Sequence, residues 1–328
     1  MWKLTFFSSI LFVICTKVSS HSKCSGPQIT KIQTAEALFP YSLIWESSSQ
    51  SLYYVDFLGS SSNPIIFRYD FEEDKIYSAS IAGQQYPSFI LPIKSKNKTQ
   101  NLFAVGVGHF TEIVEWDGRS PTANIVSRLF GVEESDSTSG VATARTSDEG
   151  IFYGGTHHTT FCSGPKNSSF YTYTKMKGLQ QLFTGTQTTD GLTFYKDILY
   201  HFDPCSKVIK QFRLNPNGNI SRHNSSQIFI NLDTDTDGFV YTNEYGGNSV
   251  WKLDVKSHKA EVVAKLPING TSSFAFGGPN RDILFVSAAS TIVDAYTLAA
   301  EVISQNGSSL YKVTGLGITG RKYSPLIV

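Results

Sequence analysis

Thr271-Ser272-Ser273-Phe274-Ala275-Phe276-Gly277-Gly278-Pro279-Asn280-Arg281-Asp282-Ile283-Leu284-Phe285-Val286-Ser287-Ala288 reads as one hairpin: an apolar strand, a Gly-Gly-Pro-Asn turn, and a second apolar strand alternating with period two. Working outward, short aromatic or β-branched strands of the same kind begin near Ser51, Asn101, Gly150, Ile198, Gly238 and Asp282. Their spacing of about 40 to 50 residues is the period of a four-stranded propeller blade. A further apolar strand follows in five of them: Ile65 to Asp70, Ile113 to Asp117, Phe170 to Tyr173, Val208 to Phe212 and Val250 to Asp254. The pattern predicts an all-β, six-bladed β-propeller with four-stranded blades. Gln28 to Gln33 then serves as an early strand that completes the last blade and closes the ring, removing a free sheet edge.

Composition agrees. Aromatics make up 13 %, with 16 Tyr and 23 Phe, and charged residues only 17 %, a balance that favours strands. The net charge is +1 and no basic stripe appears, which argues against nucleic acid and anionic membrane as partners.

Residues 1–20 have the form of a signal peptide, with Lys3, an apolar run from Leu4 to Cys15, and small residues Val18, Ser19 and Ser20 before the expected cut. The apolar run is shorter than the roughly 20 residues that span a bilayer. The expectation is a secreted chain, one propeller domain over residues 21–328. Sequons at Asn97, Asn167, Asn219, Asn224, Asn269 and Asn306 fit a glycoprotein. Beyond the signal segment stand Cys24, Cys162 and Cys205, an odd number for an oxidising compartment. A Cys162–Cys205 bridge between loops of neighbouring blades is one pairing; Cys24 with either of them is the other.

With the blades placed, the chain resembles the family of regucalcin (senescence marker protein), gluconolactonase and the firefly luciferin-regenerating enzyme. The residues that carry the resemblance are Thr271 to Ala288, Ser309 to Ile318, Gln50 to Asp56, and Gly246-Gly247 before Val250. The resemblance implies a six-bladed propeller and a divalent metal (Ca, Mn or Zn) at the channel mouth, acting as Lewis acid on a sugar lactone. Four positions of that site can be followed here. The family's ligand Glu falls on Tyr41 in Pro40-Tyr41-Ser42-Leu43-Ile44-Trp45, and its substrate-side Asn on Ala142. Its ligand Asn falls on Asp190 in Asp190-Gly191-Leu192, and its ligand Asp on Ile230. One carboxylate remains where a hard dication needs several oxygens. Glu244 and the pair His157-His158, at the ends of second strands, are the candidate substitutes.

Asp233-Thr234-Asp235-Thr236-Asp237-Gly238, with Glu244 further on, spells an EF-hand loop. It lies between strands rather than helices, and an extended Phe239 to Asn243 would carry Glu244 about 20 Å from Gly238. What is left is a candidate structural Ca turn of Asp233, Asp235 and Asp237 facing away from the mouth, or an Asp/Gly hairpin turn chosen for backbone geometry. No Gly-x-Ser-x-Gly, P-loop, zinc-spaced Cys/His set or dinucleotide fingerprint is present.

The sequence therefore points to a propeller whose metal-dependent lactonase site is degraded and which binds a small organic ligand or an extracellular protein through a mouth lined by Tyr41, Ala142, Asp190, Ile230 and Glu244. The alternative is an active divalent-metal-dependent lactone or ester hydrolase. A structural component of an extracellular fluid is a third class.

Overall fold

The structure is a computed structural model that describes residues 26–328 apart from 33–36, 61–64, 96–100, 207, 228–229, 255–256, 258, 295–296 and 306. The signal segment, Cys24, Asn97 and Asn306 lie outside the described residues.

The fold is an all-β, propeller-like ring of sheets. Each sheet is an antiparallel meander whose first strand is innermost. Three sheets have four strands each, starting from Ser139–Thr146, Gly191–Tyr195 and Ile230–Thr234. An eight-stranded sheet consists of two such meanders, Pro40–Glu46 through Lys75–Ile81 and Pro87–Pro92 through Thr122–Gly131. Their outer strands meet in parallel over Ser80–Thr122 and Ile81–Ala123 only. The remaining four-stranded sheet runs from Thr271–Gly277 through Ile283–Ala288 and Ser309–Thr314 to Gln28–Ile32. The early strand thus pairs with a late one, Gln28 opposite Thr314 and Ile32 opposite Leu310, and supplies the expected closure. Consecutive inner strands contact one another in an unbroken cycle.

The opening hairpin forms as its sequence predicts: Thr271–Gly277 and Ile283–Ala288 pair across a turn in which Arg281 N–H donates to the Gly278 carbonyl (3.0 Å). Thr271–Gly277 is buried along its whole length because a sheet packs on each of its faces. Phe274 and Phe276 pack with Leu284 and Val286, while Ala275 and Phe285 face the neighbouring cluster of Trp45, Tyr54 and Phe67. Burying such aromatic side chains contributes about 1.5–3 kcal/mol each, enough to fix the register.

Two segments lack strand periodicity in the sequence. A short hairpin, Thr291–Val293 with Ala300–Val302, projects between strands of the closing sheet. Residues 315–328 run beneath the ring, opposite the mouth. Gly320 N–H donates to Arg281 O (2.7 Å), Arg321 N–H to Thr234 O (3.2 Å), and Leu326 N–H to Pro92 O (2.8 Å). The Arg321 guanidinium, nearly buried, bonds Asp148 Oδ1 (2.6 Å) and Thr146 O (3.3 Å) and sits 4.9 Å from the Phe194 ring centroid. These partners stand at or near the far ends of inner strands, so the segment straps the underside of the channel.

Candidate functional site

At the opposite end the inner strands break register as they reach the surface, between Tyr41 and Ile44, Val141 and Ala144, and Thr271 and Ser273. Such bulges re-aim side chains next to functional sites. Ser42 adopts φ 56°, a conformation that costs an ordinary residue energy and is held here by the surrounding bonds. The result turns Tyr41, Ala142 and Ser272 into a cavity that opens at the mouth.

Five aromatic side chains line it, Phe39, Tyr41, Phe57, Phe161 and Tyr245, with Val293 from the short hairpin. Phe39 lies 5.8 Å from Phe57 and 6.1 Å from Tyr245, and Tyr41 lies 5.6 Å from Phe57, centroid to centroid. These tilted spacings are the favoured aromatic arrangements. Asp56 organises two of the walls: its carboxylate accepts the backbone N–H groups of Leu38 (2.8 Å), Phe39 (2.9 Å) and Leu58 (3.2 Å). Asp203 does the same in the sheet that starts at Gly191, accepting from the N–H groups of Cys205 (3.1 Å) and Gln187 (3.4 Å).

Three of the four family positions meet here. The Tyr41 hydroxyl, 149 residues away in sequence, donates to Asp190 Oδ1 and lies 3.2 Å from the Asp190 carbonyl. Burial pushes the Tyr41 phenol well up, and the adjacent carboxylate pushes it further, so it stays a neutral donor. Burial also raises the Asp190 carboxyl; the Tyr41 bond and the Arg145 guanidinium oppose that rise, and Asp203 adds to it. Ala142 contributes a methyl group to the wall. Ile230 opens its strand opposite Asn243, and only its backbone is described.

Glu244 is not brought into the cavity, which corrects the expectation from sequence. It is exposed, and its carboxylate folds over Gly247, where a Cβ would meet it at 2.4 Å; the next residue, Tyr245, takes the place on the wall. The histidine pair divides. His157 lines the cavity, stacked on Phe161 at 5.2 Å, and burial pushes its imidazole down to about 4, which keeps it neutral. His158 turns away and accepts the Thr160 N–H at its Nδ1 (3.1 Å), a purely structural contact.

Two residues beneath the site carried no recognisable sequence signal. Arg145 is 7 % exposed; its Nη atoms donate to Ser42 Oγ (3.1 Å), Ala144 O (3.1 Å) and Leu43 O (3.3 Å), and its Nε has no partner among the described residues. His201 is fully buried against Phe170, Phe183 and Phe212, with Nε2 3.0 Å from Thr189 Oγ1. The donor set at the four positions does not fit a hard dication: one carboxylate already engaged by a phenol, a methyl group, an isoleucine, and a guanidinium close enough to act on the carboxylate.

The Asp turn lies on the strapped face. Asp235, 3 % exposed, accepts at Oδ1 from the N–H groups of Asp237 and Phe239 (both 3.0 Å) and at Oδ2 from the Tyr241 hydroxyl (2.9 Å). Gly238 takes φ 88°, as a hairpin turn requires. Asp237 is exposed, the side chain of Asp233 is not described, and no cluster of three metal-ligating side chains occurs among the described residues. Cys162 and Cys205 are joined by a disulfide with Cα atoms 5.0 Å apart. The bridge fastens the loop bearing Phe161 to the loop bearing Pro204, both on the cavity wall. Asn167, Asn219 and Asn269 are exposed; the side chain of Asn224 is not described.

Regucalcin of Xenopus laevis is 23 % identical over 291 residues, covering 84 % of this chain and 91 % of its own length. Regucalcin of Bos taurus is 22 % identical over the same shares. Among solved structures, a luciferin-regenerating enzyme superposes with a TM-score of 0.79 at 21 % identity, covering 92 % of this chain and all of that one. A calcium-binding protein, regucalcin, from Agrobacterium tumefaciens superposes at 0.70 with 16 % identity, covering 92 % and 97 %. Matching over residues 39–290 the family described as SMP-30/Gluconolactonase/LRE-like region, the chain belongs to that family.

Proposed function

We propose that this protein is a secreted, glycosylated, six-bladed member of the family that has lost the metal-dependent lactonase site and works by holding a small organic ligand in the aromatic cavity. The observation that carries the reading is the Tyr41–Asp190 bond: two positions that ligate metal in the family satisfy each other across the ring. A largely apolar cavity with few polar groups is the ordinary form of a small-molecule site. The six-blade count follows from taking the eight-stranded sheet as two blades that touch along their outer strands. Secretion is supported by the Cys162–Cys205 bridge, since such bonds persist in oxidising compartments, and glycosylation by three exposed sequon asparagines. The single-domain reading over residues 21–328 and a signal peptide over 1–20 complete it.

The test is an activity assay of the purified chain on gluconolactone with Ca, Mn or Zn added in turn. The expected result is no metal-dependent turnover. Turnover that appears with metal and disappears in Asp190→Ala would establish the hydrolase instead.

A further inference from the structure

The cavity offers a ligand little polarity, and the one carboxyl among its lining residues is Asp190. Thr189 Oγ1 is engaged by His201 (3.0 Å), and Ser272 Oγ by the Pro40 carbonyl (2.7 Å) and Ser287 (3.0 Å), so two of the three aliphatic hydroxyls on the wall are committed inward, Thr188 being the third. The Tyr41 hydroxyl is spent on Asp190 Oδ1. His157 is neutral because burial holds its imidazole near 4. A sugar, which needs many hydrogen-bonding groups around its ring, finds few here.

Asp190 is the exception. Only Oδ1 of its carboxylate has a hydrogen-bond partner among the described residues, and the residue lines the cavity. Arg145 stands behind the wall rather than in it, with its three hydrogen bonds going to Ser42, Leu43 and Ala144, so its charge acts on Asp190 without facing the cavity. A ligand therefore meets the second oxygen of this carboxyl beside aromatic side chains, Phe57 and Tyr245 among them; burial raises the carboxyl, and an ammonium ion beside it favours the ionised form. A cation is attracted both by a carboxylate and by the negative face of an aromatic ring, while the rings also accept an apolar body. An anion or an uncharged polyol is attracted by neither.

We infer that the cavity, read as the binding site proposed above, takes an organic ammonium compound: a hydrocarbon or aromatic body with an amine that pairs with Asp190 and lies against the surrounding aromatic faces.

The test is isothermal titration of the full chain with three compounds of similar body and different head group, 2-phenylethylamine, 2-phenylethanol and 3-phenylpropionate. The amine is expected to bind at least about 10-fold more tightly than the alcohol, and the acid more weakly than either, because a charge-assisted hydrogen bond exceeds a neutral one by roughly that factor. Asp190→Asn, with its fold verified by circular dichroism, should bring the amine-to-alcohol ratio to about one. Should that variant not fold, the wild-type series alone decides. Equal binding of amine and alcohol overturns the ammonium inference and leaves the binding-site reading standing. Binding by none of the three overturns both.

Discussion

Replacing both Cys162 and Cys205 with serine removes a cross-link without leaving either partner as a free thiol. The bond spans a separation of 43 residues. In the chain-entropy account, freeing a loop of that length in the unfolded state costs about 4 kcal/mol of stability at 25 °C. The folded state should change little, because each cysteine loop has anchors of its own. The Cys162 carbonyl accepts from Gln187 Nε2 (2.7 Å), and the Cys205 N–H donates to Asp203 Oδ1 (3.1 Å). The loss should therefore come through the unfolded chain rather than through a damaged mouth. Urea titration of wild type and variant, followed by the fluorescence of buried Trp45 and Trp116, measures it. The expected outcome is an earlier midpoint worth about 4 kcal/mol, with an unchanged folded spectrum. A loss below about 1 kcal/mol would show that the unfolded chain gains no freedom across this loop, and the reasoning would be wrong.

Acid should destabilise the protein through His201, whose imidazole burial pushes down to about 3. Below pH ~6.5 the unfolded imidazole takes up a proton that the folded one refuses, so stability is lost as pH falls from there toward 3. At pH 4.5 that is about two units, or about 2.7 kcal/mol, and His201→Leu should flatten this part of the urea midpoint against pH. Asp56→Ala should cost about 3 kcal/mol in urea titration, since the N–H groups of Leu38, Phe39 and Leu58 lose a charged acceptor; an undiminished midpoint would remove Asp56 from its positioning role. Gly320→Ala would place a Cβ 1.9 Å from Phe276 Cβ. The strap must shift to admit it, and a drop of about 1–3 kcal/mol is expected, with faster hydrogen exchange at the Leu326 amide.

The strands were legible where side-chain pattern alone determines them. The segments beginning near Ser51, Asn101, Gly150, Ile198, Gly238 and Asp282 appear as second strands, at Ser51–Asp56, Leu102–Val107, Phe152–His158, Ile198–Asp203, Val240–Asn243 and Ile283–Ala288. Closure by the early strand was legible because an open edge had to be covered. Residues 315–328 were not, since their order comes from backbone bonds to the ring and not from any period of their own. At the site, the substitutions at Tyr41, Ala142 and Asp190 could be read, but not that Tyr41 would bond Asp190, because register breaks near the mouth set side-chain direction. Glu244 was misplaced because the strand ends at Asn243 and the chain turns there, so that Tyr245 and not Glu244 lines the cavity. Arg145 and His201 gave no signal, as a lone basic residue in a strand looks the same whether it is solvated or enclosed.

The strap lies across the underside of the ring, opposite the cavity. Arg321, Tyr323 and Leu326 are buried there, and Leu326 bridges to Ile93. A molecule held between Tyr41, Asp190 and Tyr245 would leave past the rim on which Phe57 and Phe161 stand. Residence time would then be set at that rim.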